Sequence, residues 1–108
     1  METLSINYDF ELGEEFLTSA KSSIHDDHQV VRLEARQATS KFLLSYLDHY
    51  GVNGISEDPI VLLNQCREIN SRFYGLDLPA FSEYDEVNIE ILCIAAERTR
   101  DFVMNLLD

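Results

Sequence analysis

The chain has 108 residues, of which 45% are hydrophobic and 26% charged; this describes one folded domain and excludes a two-domain enzyme or a disordered segment. Its 20 Asp and Glu residues against 8 Lys and Arg residues give a formal net charge of −12, so nucleic acid is not expected to bind without a partner. No apolar stretch reaches the roughly 20 residues of a membrane span, and residues 1–13 lack a basic start followed by an apolar segment, so we predict neither membrane insertion nor export.

Four segments carry apolar residues at helical spacing. The second should stop at Gly51, a natural left-handed C-cap, and the third should start at Pro59 behind Ser56 or Asp58 as the cap. No segment shows the sustained period of two that strands require. The sequence therefore predicts a single all-α domain over residues 1–108, a four-helix up-and-down antiparallel bundle with the second and fourth helices at its centre. The predicted helices span about 9–24, 29–50, 59–73 and 84–107.

The apolar arcs of the second and fourth helices are wider than a small bundle needs to bury. Large exposed apolar surfaces usually mark interfaces, so we predict a homodimer through these two helices. The alternative is that the short helices cover both sides. The predicted interface residues are Leu33, Leu43, Leu44, Leu47, Leu92, Cys93, Ala96 and Val103.

Candidate metal and catalytic groups are few. Cys66 and Cys93 each lie in an apolar periodic segment outside any CxxC pair, which favours two core cysteines in a reducing, cytoplasmic protein. The run from His25 to His28 contains two imidazoles and two carboxylates, but it falls where the first helix gives way to the second, so we interpret it as an exposed turn in which Asp27 caps the next helix. We predict no metal site, no cofactor and no catalysis by the chain alone.

A ligand site is predicted where cations and an aromatic ring come close together. In a bundle of this order Arg67, Arg72 and Tyr74 should lie near one another, and Arg98 lies at the edge of the apolar arc of the fourth helix. Guanidinium groups and a ring suit an anionic, ring-bearing ligand such as a nucleotide. The alternative is that the arginines pair with neighbouring carboxylates and that Tyr74 covers the core.

Several stretches resemble HEPN domains, a family of small helical bundles. The opening helix pair is carried by residues 16–21 and 36–44 and ends at Tyr50-Gly51-Val52. Residues 57–66 resemble the short helix that follows, and residues 95–107 resemble the closing helix. The resemblance covers about residues 10–107 and lies in pattern and helix order. It implies a dimeric bundle that binds a nucleotide or a protein, often a nucleotidyltransferase.

The chain departs from that family at its catalytic motif. Ribonuclease members carry an Arg, four to six intervening residues and a His, whereas no Arg here has a His at such an offset and His49 is the last His. The Thr-His-Asp step that often opens the third helix reads Ser56-Glu57-Asp58. An imidazole general base therefore has no candidate position.

The leading prediction of function is a non-catalytic, HEPN-like binding module that acts through homodimerisation and a protein partner. One alternative is a metal-independent ribonuclease of a toxin–antitoxin type that uses Arg72, Tyr74 and Arg98. Another is an acidic inhibitor or decoy of a basic nucleic-acid-binding protein.

Overall fold

A computed structural model describes residues 3–79, 81 and 88–107, with side chains from residue 8 onward. Within these ranges the chain forms four α-helices and one short 3₁₀ helix and contains no strand, which confirms the all-α prediction for this part of the chain. The elements are α1 (Thr3–Ser22), α2 (His28–His49), α3 (Pro59–Ile69), the 3₁₀ helix (Ser71–Gly75) and α4 (Ile89–Leu107).

Local capping rules place the starts of α2 and α3. The Asp27 side chain accepts hydrogen bonds from the backbone N–H groups of Gln29 and Val30, and the Asp58 side chain accepts one from Ile60. Pro59 occupies the first turn of α3, where a missing N–H costs nothing. Gly51 follows α2 with φ of 70°, the left-handed conformation predicted for it. Both predicted helix starts and this helix end are confirmed.

Three other boundaries differ from the predicted ones. α1 begins at Thr3 instead of near Asp9, since the sequence before Gly13 holds no Gly or Pro to interrupt a helix. α3 ends at Ile69 because Asn70 leaves the helical conformation and its side chain caps the 3₁₀ helix by accepting from the Arg72 N–H. α4 begins at Ile89 among the described residues, and the predicted start near residue 84 lies outside them.

α2 alone is central, whereas the sequence pattern predicted α2 and α4 together. α1, α3 and α4 all pack against α2, while α1 and α4 contact each other only lightly. The larger core cluster surrounds the α2 residues Phe42, Leu43, Tyr46 and Leu47, and a smaller cluster joins Val31 and Ala35 to α4. Three helices therefore pack around α2, and in the described chain no helix packs on its remaining side.

α1 approaches α2 closely at Gly13. A Cβ built on Gly13 would lie 2.7 Å from Cε1 of Phe42, a separation that real Cβ atoms do not show. The ring of Phe10 packs on the same Phe42 ring with centroids 5.0 Å apart. Glycine at this position therefore sets how closely α1 lies on α2.

None of the described helices is long and apolar enough to cross a membrane.

Candidate functional site

An open groove of about 390 Å³ runs along the side of α2 that faces away from α4. Its floor is formed by α2, one wall by α1 and the other wall by the loop between α2 and α3. We call it the α2 groove; it is lined by Leu12, Phe16, Leu33, Arg36, Gln37, Ser40, Lys41, Leu44 and Glu57.

Helical periodicity explains why these α2 residues share one side. At about 100° per residue, Leu33, Gln37, Ser40 and Leu44 fall within an arc of about 60°. Arg36 lies about 60° to one side of Leu33 and Lys41 about 80° to the other, so one cation flanks each edge of the strip. The strip is apolar at both ends and polar in the middle, with a positive charge on either side.

No described element covers the Leu33 end of this strip, whereas Ser40 is buried beneath the loop wall. Leu33 is 55% exposed, although it belongs to the central helix of the fold. Leu44 on the same strip is only half-buried, as are Leu12 and Phe16 on the α1 wall. By contrast, Val31 and Ala35, on the opposite side of α2, are fully buried against the cluster shared with α4.

The loop that forms the second wall is fastened to the helices at several points. The Ser40 hydroxyl donates a 2.7 Å hydrogen bond to the backbone carbonyl of Glu57. The Gln65 side chain accepts from the Ile55 N–H and donates to the Asn53 carbonyl. A Cβ on Gly54 would overlap Cδ2 of Leu44, so this loop also packs directly on the groove floor. The wall is therefore preformed in the structure.

The two flanking cations of the groove form no ion pair in the described part of the chain. Three other cations do: Lys21 pairs with Glu97, Arg67 with Asp77, and Arg100 with Glu14 and Asp101. Among the lining residues the only carboxylate is that of the exposed Glu57. In a chain of net charge −12 the groove is thus a local patch of positive charge.

Beyond the Leu44 end of the groove, two carboxylates meet between α1 and α2. Burial raises the pKa of Asp48 to about 6, and a hydrogen bond with Asp9 and repulsion from its charge add to the effect. Lys41 acts in the opposite direction and lowers the pKa of Asp48. The pair therefore holds a proton more tightly than two exposed carboxylates would.

The residues of the predicted ligand site are only partly brought together. The Arg67 guanidinium lies 5.0 Å from the ring centroid of Tyr74. It is already engaged, because Nε donates to the Phe73 carbonyl at 3.3 Å and Nη2 to the Leu76 carbonyl at 2.9 Å. Arg72 is exposed nearby, and no hydrogen bond, ion pair or ring contact in the described chain joins Arg98 to this cluster. Arg67 thus braces the 3₁₀ helix, and ligand binding here stays a prediction.

The residues of the predicted dimer interface are mostly inside the single chain. Of the eight, six are buried: Leu43, Leu47, Leu92, Cys93, Ala96 and Val103. The other two, Leu33 and Leu44, lie in the α2 groove. The surplus apolar residues of α2 that the sequence pattern assigned to a dimer are therefore divided by the fold between the core and the groove.

Groups able to do acid–base or nucleophilic chemistry are not assembled in the described chain. Burial raises the pKa of the Cys66 thiol to about 12, and burial also raises the pKa of Cys93, which keeps both as thiols at neutral pH. His49 is exposed at the end of α2 with its ring against Tyr50. The described residues contain no group of three or more His, Cys, Asp or Glu side chains placed to hold a metal ion.

Comparison with known proteins identifies no relative. No protein-family model matches the chain, and neither a curated protein nor a solved structure is significantly similar to it. The α2 groove is therefore interpreted from its own residues.

Proposed function

We propose that this protein is a non-catalytic helical binding module that holds a segment of a partner protein in the α2 groove. The observation that carries the proposal is the exposure of Leu33 on α2, the helix against which the other three α-helices pack. Helical bundles bury such a strip with another helix, and exposed apolar grooves rimmed by charge are typical of sites for partner segments.

The chemistry of the lining supports binding rather than catalysis. The nine lining residues include no imidazole and no thiol, and the Ser40 hydroxyl is already donating to the Glu57 carbonyl. The one carboxylate of the lining, that of Glu57, is exposed and has no imidazole, thiol or uncommitted hydroxyl beside it among the lining residues, so the two cations supply charge recognition rather than part of a catalytic set.

We propose further that the architecture is HEPN-like. The supporting features are the order of the helices, the long second helix ended by a left-handed glycine, and the short third helix behind an Asp cap. The missing Arg-to-His spacing agrees with a member that binds without cleaving RNA.

Homodimerisation is a separate part of the proposal. With most of the predicted interface buried, a second copy would have to meet the apolar side chains that α4 leaves exposed, which are Ile91, Ile94 and Met104. Sedimentation velocity of the wild type and of Ile94→Asp tests this. A dimer that dissociates in Ile94→Asp supports self-association through α4, and a monomer of 12.4 kDa at all concentrations contradicts it.

The binding function is tested with amphipathic helical peptides and purified protein. A panel of fluorescein-labelled, stapled peptides that share a Leu-rich face but differ in flanking residues is titrated by fluorescence polarisation. The groove variant is Leu33→Asp, and the matched control is Ile60→Asp, since Ile60 is 40% exposed on α3 and lies outside the groove lining. The proposal predicts saturable binding of at least one peptide, lost in the groove variant and kept in the control. No binding at about 100 µM peptide, an affinity weaker than roughly −5.5 kcal/mol, contradicts it.

A further inference from the structure

We infer that the α2 groove receives an acidic amphipathic helix, one with an apolar face and Asp or Glu on both flanks of that face. This rests on the proposed function and adds the chemistry of the partner segment.

The length of the groove fits a helix. Leu33 and Leu44 are 11 residues apart on α2, which at 1.5 Å per residue is about 16 Å, or about three helical turns. A helix laid along this strip presents side chains at i, i+3 or i+4 and i+7 over the same distance. The walls from α1 and from the fastened loop stand on either side of that path. The groove therefore has the length and the position that one further helix packed on α2 would need.

The charged side chains of the groove determine what kind of helix binds there. Arg36 and Lys41 flank the strip on opposite edges, and neither has an ion pair in the described chain. Glu57 contributes a single negative charge on the loop wall, so the lining as a whole is positive. Asp9 and Asp48 lie beyond the Leu44 end of the groove and outside its lining, and the charge of Lys41 lowers the pKa of Asp48. Carboxylates on both flanks of the incoming helix would meet these cations, whereas basic flanks would be repelled.

A second copy of the chain does not fit as the occupant. Two grooves facing each other across a two-fold axis would bring the cations of one copy against those of the other. The exposed strip of α4 lies on the far side of the molecule, because α4 packs on Val31 and Ala35, about 180° around α2 from Leu33. An α4 strip bound in the groove of a neighbour would therefore be a head-to-tail contact that a closed dimer cannot make.

The negative charge of the rest of the chain affects where an acidic helix can bind. The acidic surface elsewhere weakens chance encounters with anionic partners, and ions screen it beyond about 8 Å at physiological salt. The charged side chains that line the groove itself are Arg36, Lys41 and Glu57. An acidic helix is therefore expected to bind in the groove rather than on the acidic surface around it.

The experiment compares three stapled peptides of about 12 residues with one apolar face and flanks of Glu, Gln or Lys, titrated at about 150 mM NaCl. The Glu peptide should bind at least about tenfold more tightly than the Lys peptide, which is a difference of about 1.4 kcal/mol. Arg36→Ala and Lys41→Ala should each weaken the Glu peptide by about two- to fivefold, as exposed ion pairs do. Lys21→Ala, the same change at the only other lysine, should leave the affinity unchanged because Lys21 pairs with Glu97 away from the groove.

Reversing the charges of both Arg36 and Lys41 should create a new binding preference, which a misfolded protein would not show. Arg36→Glu with Lys41→Glu should bind the Lys peptide more tightly than the Glu peptide. Equal affinity of all three peptides, with loss in Leu33→Asp, overturns the acidic-helix inference and leaves the proposed binding function standing. Tighter binding of the Lys peptide by the wild type also overturns the inference. Failure of every peptide to bind overturns both the inference and the proposed function.

Discussion

The Ser40 hydroxyl donates a 2.7 Å hydrogen bond to the backbone carbonyl of Glu57, which ties the middle of α2 to the residue that forms the far wall of the groove. The two residues are 17 positions apart in sequence, so this bond closes the chain segment that contains the end of α2 and the whole following loop. It fixes the width of the groove independently of any occupant.

Replacing Ser40 by Ala should therefore affect both stability and binding. Loss of one hydrogen bond with a buried hydroxyl costs about 1 kcal/mol in unfolding free energy, and a freed loop wall should weaken the Glu peptide a few-fold. Ser45→Ala is the matched control, because the buried Ser45 hydroxyl donates within α2 to the Phe42 carbonyl and touches no wall. Urea unfolding and peptide titration of both variants separate the two effects. Equal peptide affinities in the two variants would show that this bond does not shape the groove.

Gly13→Ala should lower the free energy of unfolding by about 1 to 3 kcal/mol, since the added methyl group meets the Phe42 ring in a packed core. Gly75→Ala is the control: a Cβ at Gly75 has no heavy atom within 4 Å, and its backbone φ is not positive. Thermal unfolding followed by circular dichroism measures both. A Gly13→Ala protein as stable as the wild type would mean that α1 can move away from α2 at little cost.

The carboxylate pair at Asp48 predicts an unusual dependence of stability on pH. The pKa of Asp48 is about 6 in the folded chain and about 4 when exposed, so the folded state binds the proton more tightly. Its contribution is favourable below pH 4 and is lost as the pH rises through 6. Screening by solvent reduces the full linkage value, and we expect a loss of about 1 to 2 kcal/mol from this group between pH 4 and pH 7.

Asp48→Asn should remove this loss, because the amide cannot ionise beside Asp9. The variant is expected to be more stable than the wild type at pH 7 and to show a smaller decline from pH 4 to pH 7 when urea unfolding is measured at each pH. Asp26→Asn, at an exposed position in the turn before α2, serves as the control. A wild type and Asp48→Asn with parallel pH profiles would contradict a shared proton at this site.

Arg67→Ala should destabilise the chain by about 1 to 3 kcal/mol without changing peptide affinity, because the guanidinium satisfies two backbone carbonyls around the 3₁₀ helix. Arg72→Ala, which removes an exposed guanidinium, should have little effect on stability. Thermal unfolding with and without millimolar nucleotide measures the stability of both variants and any binding of nucleotide. A midpoint that rises with nucleotide in the wild type and not in Arg72→Ala would establish the predicted ligand site and change the account of this cluster.

The parts of the fold that the sequence predicted depend on neighbours along the chain. Asp27 and Asp58 cap helices because each side chain reaches N–H groups two or three residues ahead, and Gly51 ends α2 because of its own backbone freedom. Such rules need no knowledge of the tertiary structure. The end of α3 was harder to predict, because the side chain of Asn70 caps a 3₁₀ helix that apolar periodicity does not reveal.

The groove was beyond prediction for a different reason. A helical wheel of α2 shows that Leu33, Leu43, Leu44 and Leu47 lie beside the main apolar stripe, but it does not show where the neighbouring helices pack. α3 and the 3₁₀ helix cover Leu43 and Leu47, and the loop and α1 leave Leu33 exposed. A signal was nevertheless present in Arg36 and Lys41, which place charge at both edges of the strip that contains Leu33 and Leu44.

The most direct test of the central claim is a titration of the isotopically labelled chain with the Glu-flanked peptide, followed through its backbone amide NMR signals. We expect the largest shifts along α2 from Leu33 to Leu44 and on the facing residues Leu12 and Phe16, and we expect Arg36→Glu with Lys41→Glu to abolish them. Shifts centred instead on Ile91 to Arg98 of α4, or on Arg67 to Tyr74, would contradict the assignment of the α2 groove as the binding site.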